Sequence, residues 1–259
     1  MARAKNYTLG RGKLYADFYD ADGNLTGEFY IGNTTSLTYT SDEDVLDHFD
    51  SDDGVREKDD SVQLTDTATI GFTTDDIQPE NLAMFIKGEK QTLTVAPASN
   101  EDETITVLRG RHYQLGVSDA NPTGLRALDN VTVTNGMTPV AASGNFEIDE
   151  TLGRLYILED AADIEDGDEL TVEYDVLGSS RSVVLSTGDK TTAALRYIAA
   201  NPKGPQRDHY WPKVIVSPDG DYELKGDDWQ AMSFSGEALK VTGRAKHYID
   251  GRPAVDDAS

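Results

Sequence analysis

The stretch Gly12-Lys13-Leu14-Tyr15-Ala16-Asp17-Phe18 carries apolar side chains at every second position. A period of two residues is the signature of a β-strand, because successive side chains point to opposite faces. Asp22-Gly23 follows as a hairpin turn signal, and Gly27–Ile31 supplies the returning strand. The Thr-rich segments Ser36–Thr40 and Val62–Phe72 repeat the alternation. The sequence therefore predicts a mainly β protein.

One segment favours a short α-helix. We predict that it begins near Asp76 to Pro79, because Asp75 and Asp76 are good N-terminal residues and Pro79 is tolerated in a first helical turn; Gly88 suits a C-terminal stop. Leu82, Phe85 and Ile86 share one face of such a helix, so we expect that face to pack on the sheet.

A region with a different texture lies at residues 120–177. Short strands follow one another there, separated by turn signals such as Asn135-Gly136 and Asp166-Gly167. Regularly spaced short strands are typical of a small β-sandwich. We predict an inserted immunoglobulin-like β-sandwich at residues 120–177, within a discontinuous first domain made of residues 1–119 and 178–259.

The C-terminal third leaves one assignment open and predicts three strands. The Ala content of Ala193–Ala200 favours a helix, whereas its alternation permits a strand. Pro218-Asp219-Gly220 predicts a turn between strands at Lys213–Val216 and Tyr222–Lys225. Trp229–Leu239 predicts one more strand.

The segment Ser41–Asp60 contains ten acidic residues among its twenty, and its basic residues are Arg56 and Lys58. It lies between two predicted strands and is too polar to form part of a core. We therefore expect it to be a long, mobile connection. Its large apolar residues are Val45, Leu46, Phe49 and Val55.

The charge balance restricts the partners of the chain. Its 259 residues include 47 acidic and 23 basic ones, which gives a net charge of -24. Such a balance argues against binding by phosphate neutralisation and against an anionic membrane surface. There is no Cys, the N-terminus has no apolar signal segment, and no apolar stretch has the length of a membrane span. We expect a soluble protein that is assembled in a cytoplasm, with no membrane partner.

No catalytic, cofactor or metal site is predicted, and we expect a protein that is not an enzyme. No two of the four His residues stand two or four positions apart, the spacing of a local metal pair. Asp20–Asn24 resembles a calcium loop, but its Gly falls too early and no closing Glu follows at twelve residues. For the two tryptophans, Trp211 and Trp229, both interface anchors and core positions remain open, with the core the more frequent outcome.

Several short motifs occur in the same order as in a known protein family, and together they are spread over more than half of the chain. They include RDHYWPK at Arg207–Lys213 and LKGDDWQ at Leu224–Gln230. The others are Gly12–Phe18, Gly27–Asn33, Gly54–Asp60 and Phe72–Leu82. Together they resemble the major tail tube protein of long-tailed, non-contractile bacteriophages.

The resemblance implies a tail-tube β-sandwich or barrel domain and a structural role in the virion. Such subunits form homohexameric rings that stack into a hollow tube, and each contributes strands to an inner β-barrel through which double-stranded DNA passes without specific binding. The implied partners are copies of the same chain and the tape measure, tail terminator and distal tail proteins.

The resemblance also implies that the acidic segment takes part in ring stacking, since the corresponding long loop does so in the family. Ordering a mobile loop has an entropic cost, which would limit premature polymerisation. The candidate stacking residues are Asp42, Glu43, Asp44, Val45, Leu46, Phe49, Asp52, Asp53, Arg56 and Lys58.

A second hypothesis is an acidic two-domain adhesin or receptor-binding module, whose immunoglobulin-like part recognises a cell-surface carbohydrate. The sequence leaves this alternative open. Concentration-dependent polymers in electron micrographs would distinguish a tube subunit from such a module.

Overall fold

The computed structural model describes residues 6–52 and 54–253, and it confirms a mainly β fold with one short helix. The helix is α1 (Pro79–Phe85). The strands are β1 (Gly12–Tyr19), β2 (Leu25–Tyr30), β3 (Thr34–Asp50), β4 (Glu57–Thr74), β5 (Gly88–Val95), β6 (Ala98–Thr106), β7 (His112–Gln114), β8 (Leu128–Asn135), β9 (Thr138–Val140), β10 (Phe146–Asp149), β11 (Arg154–Ile157), β12 (Glu169–Val176), β13 (Ser179–Ser186), β14 (Thr191–Ala199), β15 (Arg207–Pro218), β16 (Met232–Ala238) and β17 (Tyr248–Gly251).

The chain divides into two compact units, and the second lies in sequence between the two parts of the first. The first unit is Met1–Gln91 with Val184–Ser259, and the second is Thr92–Val183. Strands β5 and β13, which carry the chain from one unit to the other and back, pair as a two-stranded sheet.

The first unit is built on one large sheet with the strand order β2-β1-β14-β15-β16-β4-β3, and β17 pairs with β15. The segment whose assignment was open, Ala193–Ala200, is largely strand β14. Phe72 and Phe234 stack at 4.9 Å between ring centroids in the core, and Trp211 is also buried there. Among the described strands no sheet closes into a barrel, so β2 and β3 are edge strands.

Helix α1 begins at Pro79, within the predicted range Asp76–Pro79, and packs on this core. Leu82 and Phe85 are partly buried against it as expected, but Met84 is the more deeply buried residue and Ile86 is exposed. Gly88 is not a helix stop: it begins β5, where a Cβ atom would lie 1.8 Å from the Leu185 carbonyl oxygen. The glycine is thus required by strand pairing.

The second unit has two sheets that share one apolar core. One sheet has the order β6-β12-β8-β9 and the other the order β10-β11-β7. Leu170 and Val172 of the first sheet are fully buried with Leu155 and Ile157 of the second. This core contains no residue of the first unit's core, so each unit has its own source of stability.

The boundaries predicted for the inserted domain, residues 120–177, were wrong. Strand β6 pairs with β12 along its length, which places residues well before position 120 in the second unit. Arg181 donates hydrogen bonds to the Asn121 Oδ1, at 3.1 Å, and to the Gly124 carbonyl, at 2.9 Å, so residues beyond 177 are also part of it. The acidic sequence of β6 hid its strand character.

The predicted strand at Tyr222–Lys225 was also wrong, and the strand predicted at Trp229–Leu239 begins later, at Met232. Residues 219–231 form a loop between β15 and β16. Of the two tryptophans, Trp211 is 2% exposed and Trp229 is 95% exposed. Only the first is a core residue.

Candidate functional site

The acidic segment is the outer part of a long β-hairpin, not the mobile connection that the sequence predicted. Strands β3 and β4 pair from Thr34 opposite Thr74 to Asp50 opposite Glu57, and three bulges interrupt the register. Because each strand supplies hydrogen-bond partners to the other, a polar segment holds regular structure here without a core. The turn connects Asp50 with Glu57, and Gly54 within it takes a positive φ of 76°.

The hairpin has two halves of different character. The proximal half, residues 34–41 and 68–74, alternates buried and accessible side chains along β4 and packs on the core. In the distal half, residues 42–50 and 57–67, every side chain is exposed. The distal half therefore has both faces in solvent.

Apolar side chains occur in the distal half although nothing in the described chain covers them. Leu46 stands directly opposite Val62, and these residues are 61% and 57% exposed. Val45, Leu64 and Phe49 are also exposed nearby. Grouped apolar side chains that stay in water are typical of a surface that binds another molecule.

The basic residues of the segment have partners within the hairpin. Lys58 Nζ lies 2.6 Å from Asp47 Oδ1, and the Arg56 guanidinium lies 4.8 Å from the centre of the Phe49 ring. His48 Nδ1 lies 2.6 Å from Asp59 Oδ1, and this hydrogen bond lowers the pKa of the Asp59 carboxyl group. These contacts join side chains of the distal half and of the turn to one another.

The predicted stacking residues are distributed over three parts of the hairpin. Strand β3 carries Asp42, Glu43, Asp44, Val45, Leu46 and Phe49, and β4 carries Lys58. Asp52 and Arg56 belong to the turn, where the Asp52 backbone N–H donates to Asp50 Oδ1 at 2.9 Å. Asp53 lies outside the described residues. Sequence reasoning omitted Val62 and Leu64 of β4, although their alternation within a Thr-rich strand was visible.

A second feature, the aromatic cleft, lies where the proximal half meets β14 and β15. It has a volume of about 600 Å³ and is lined by Gly10, Arg11, Gly12, Asn33, Thr34, Thr35, Ser36, Leu37, Thr38, Tyr39, Tyr197, His209 and Trp211. No carboxylate is among these residues. No local pattern predicts this cleft, because its lining comes from four separate parts of the chain.

A histidine pair lies beside this cleft. His209 Nδ1 and His247 Nε2 are 2.9 Å apart, and the His247 ring stacks on Trp211 at 4.7 Å between centroids. Tyr39 of the proximal half contacts the same ring at 4.8 Å. Burial lowers the pKa of both histidines, and the proximity of His209 lowers that of His247 further. One ring donates the shared hydrogen bond and the other accepts it, so the pair requires at least one neutral ring.

Within the described residues, no group of three or more His, Asp or Glu side chains is arranged to hold a metal ion. No helix among the same residues has the length and apolar character needed to cross a membrane.

These features define a mainly β protein with two units and a projecting acidic hairpin. Residues 7–249 match the model of a family described as protein of unknown function UCP028589, and the chain belongs to that family. No curated protein matches the chain.

Proposed function

We propose that this chain is a structural subunit that self-associates into hexameric rings, which stack into the hollow tail tube of a bacteriophage. The virion is then its final location and the host cytoplasm its place of assembly. Its partners are further copies of itself and, at the ends and in the lumen of the tube, the tail terminator, distal tail and tape measure proteins. The resemblance of the sequence to tail tube proteins supports this assignment.

The distal half of the hairpin is the observation that carries the proposal. Its strands pair with each other apart from two bulges, yet Leu46, Val62 and Phe49 remain in solvent. Burial of one large apolar side chain contributes roughly 1.5–3 kcal/mol, so a few such residues from each subunit stabilise a ring-to-ring contact. A paired hairpin also has less conformational entropy to lose on docking than a mobile loop.

The large sheet of the first unit supplies a second reason. Strands β2 and β3 end its strand order, so each has an edge with unpaired backbone groups among the described strands. Exposed sheet edges readily pair with strands of other copies. Closure of six sheets into one ring would leave no such edge, which is the reason that barrels are stable assemblies.

The charge suits a conduit for DNA. A wall with net negative charge repels phosphate groups, so that a polyanion moves without adhering. Screening limits this repulsion to charges within about 8–10 Å of the DNA at physiological salt. Nothing specific to a base or a phosphate is needed for such passage.

The proposal is tested by electron microscopy and sedimentation of the purified chain over a range of concentrations. We expect rings or hollow tubes for the wild type. A short-hairpin chain, in which Asn-Gly replaces residues 44–65 between the facing residues Glu43 and Asp66, should keep the fold and lose the tubes. It retains the ion pair between Asp66 and Lys246, and circular dichroism serves as its control.

A wild-type chain that stayed monomeric at high concentration and at several salt levels, with tail initiator proteins present, would overturn the proposal. Tubes formed equally well by the short-hairpin chain would preserve the tube and remove the hairpin from its assembly.

A further inference from the structure

The loop between β15 and β16, residues 219–231, presents large apolar side chains to solvent at its tip. Trp229 is 95% exposed and Leu224 is 77% exposed. A tryptophan so fully in water is unusual for a structured protein, and tryptophan is the side chain that most often anchors an interface. We call residues 222–230 the Trp229 loop.

The Trp229 loop is held in place by its own contacts. The Tyr222 hydroxyl group and Gln230 Oε1 are 3.0 Å apart in a hydrogen bond, and Gln230 Nε2 donates to the Glu223 carbonyl at 3.0 Å. The Tyr222 ring packs against Phe85 of α1 at 5.7 Å between centroids. The loop is therefore anchored through Tyr222 and Gln230 while Leu224 and Trp229 remain exposed, so docking costs little ordering entropy.

The aromatic cleft has the complementary properties. Its volume of about 600 Å³ accommodates an indole ring, and Tyr39, which is 45% exposed, and the partly exposed Tyr197 offer aromatic surface. An adjoining cavity shares Gly10, Tyr197 and His209 with it and adds Arg207. Aromatic and uncharged polar side chains form most of the lining of the two cavities.

The charges of the two surfaces are opposite. In a chain with a net charge of -24, the two cavities are lined by Arg11 and Arg207 and by no carboxylate. The Trp229 loop contains Glu223, Asp227 and Asp228 against one basic residue, Lys225. Asp208, beside His209, accepts a hydrogen bond from the Ala199 backbone N–H at 2.8 Å, and it lines neither the cleft nor the adjoining cavity.

We propose that the Trp229 loop of one copy docks into the aromatic cleft of a second copy, with Trp229 as the anchor. The contact is heterologous, since two different surfaces of the same chain meet, and such contacts propagate into rings or filaments. This inference rests on the proposed self-assembly and specifies one contact within it.

The chain provides its own probe for this contact. Its two tryptophans are Trp211, which is buried, and Trp229, which is exposed, so a change in accessible indole fluorescence reports on Trp229. We expect the emission to shift to shorter wavelength and acrylamide quenching to fall as the concentration of the wild-type chain rises. The same change should occur in the short-hairpin chain, because the contact does not use the distal hairpin.

Substitution tests both sides of the contact. Trp229→Ala should weaken association of the short-hairpin chain by about 30-fold or more, the effect of losing an interface anchor. Arg11→Glu should weaken it by charge, and Gly10→Phe should do so by filling space, since a Cβ at Gly10 meets no atom within 4 Å. Met137→Ala, a fully exposed residue of the second unit, is the matched control and should have no effect.

Mixing decides whether the contact is heterologous. In the short-hairpin background, Trp229→Ala leaves the cleft intact and Gly10→Phe leaves the Trp229 loop intact. Each variant alone should sediment as a monomer, whereas an equimolar mixture should form a one-to-one complex. Trp229 should become protected from acrylamide in the mixture.

The outcomes separate this inference from the proposed function. Tubes in which Trp229 remains as accessible to acrylamide as in the monomer, or Trp229→Ala chains that associate like the wild type, would overturn the docking contact and leave the tube standing. Protection of Trp229 in dimers that never grow into tubes would support the contact and overturn the tube. A chain that never associates would overturn both.

Discussion

The two halves of the long hairpin belong to the same pair of strands and differ in what surrounds them. In the proximal half, Phe72 is buried on Phe234, and Ile70 is fully buried beside it. In the distal half, Leu46 and Val62 face each other in water. Cross-strand pairing therefore determines the shape of the hairpin throughout, whereas packing stabilises only its base. A distal half that is regular but unburied has a surface available for another molecule.

The largest expected effect is in the proximal half. Phe72→Ala removes a buried ring and leaves a cavity beside Phe234, so we expect a loss of about 3–5 kcal/mol in the free energy of unfolding. Phe49→Ala in the distal half should change it by less than about 1 kcal/mol. Urea denaturation of the two variants measures both values. Equal losses would mean that the halves do not differ in packing.

A smaller effect on the free energy of unfolding is expected from pH, through the histidine pair beside the aromatic cleft. The pKa values of His209 and His247 are lowered by burial from the ordinary value of 6.5, so the unfolded chain binds more protons than the folded one below that pH. Stability should be fully present above pH 6.5 and decline as the pH falls through 6.5 toward the folded values.

Thermal denaturation of the wild type and of His247→Gln at several pH values measures this decline. The variant should show a weaker dependence between neutral pH and pH of about 5.5, while His112→Gln in the second unit serves as the control. Identical profiles for wild type and His247→Gln would show that the histidine pair does not contribute.

Substitutions in the distal half should affect assembly strongly and the free energy of unfolding only slightly. The double substitution of Leu46→Ser and Val62→Ser should change the free energy of unfolding by at most about 0.5 kcal/mol, because both side chains are exposed. We expect it to abolish or strongly reduce tube formation, as judged by sedimentation. Met137→Ser is the control for loss of an exposed apolar side chain. Normal tubes from the double variant would exclude this pair as a docking surface.

The smallest expected effect concerns the ion pair between Lys58 and Asp47. Both groups are partly exposed, and pairs of this kind typically contribute between 0 and about 1 kcal/mol. Lys58→Met should therefore change the free energy of unfolding only slightly, and high salt should remove this small change. Hydrogen exchange of the amides near Asp47 measures it. A large, salt-independent loss of protection would show that the pair contributes substantially to the stability of the distal half.

Much of the fold could be read from local patterns. The alternation in Gly12–Phe18 and the turn signal at Asp22-Gly23 gave β1, the following turn and β2, and α1 begins within the predicted range Asp76–Pro79. Both patterns reflect interactions within a few residues, which a sequence displays directly. The prediction for the acidic segment was wrong because its β-structure depends on pairing with a partner strand, which its composition does not reveal.

The candidate sites were less accessible to such reading. Strand β6 carries an acidic sequence and was assigned to the wrong unit, because its strand character depends on pairing with β12. The same limitation applies to Trp229, since core and surface tryptophans have the same sequence signature. The aromatic cleft joins Tyr39, Tyr197 and Trp211 from distant positions, and no local pattern connects them.

The sequence by itself determined that the chain is mainly β, strongly acidic and made of two differently textured regions, because composition and side-chain alternation are local properties. Only the tertiary structure decided where the units begin, that the acidic segment is a hairpin, and which tryptophan is buried. Those outcomes depend on which strands pair and which surfaces meet, and the free energy of such contacts is shared between residues far apart in the chain.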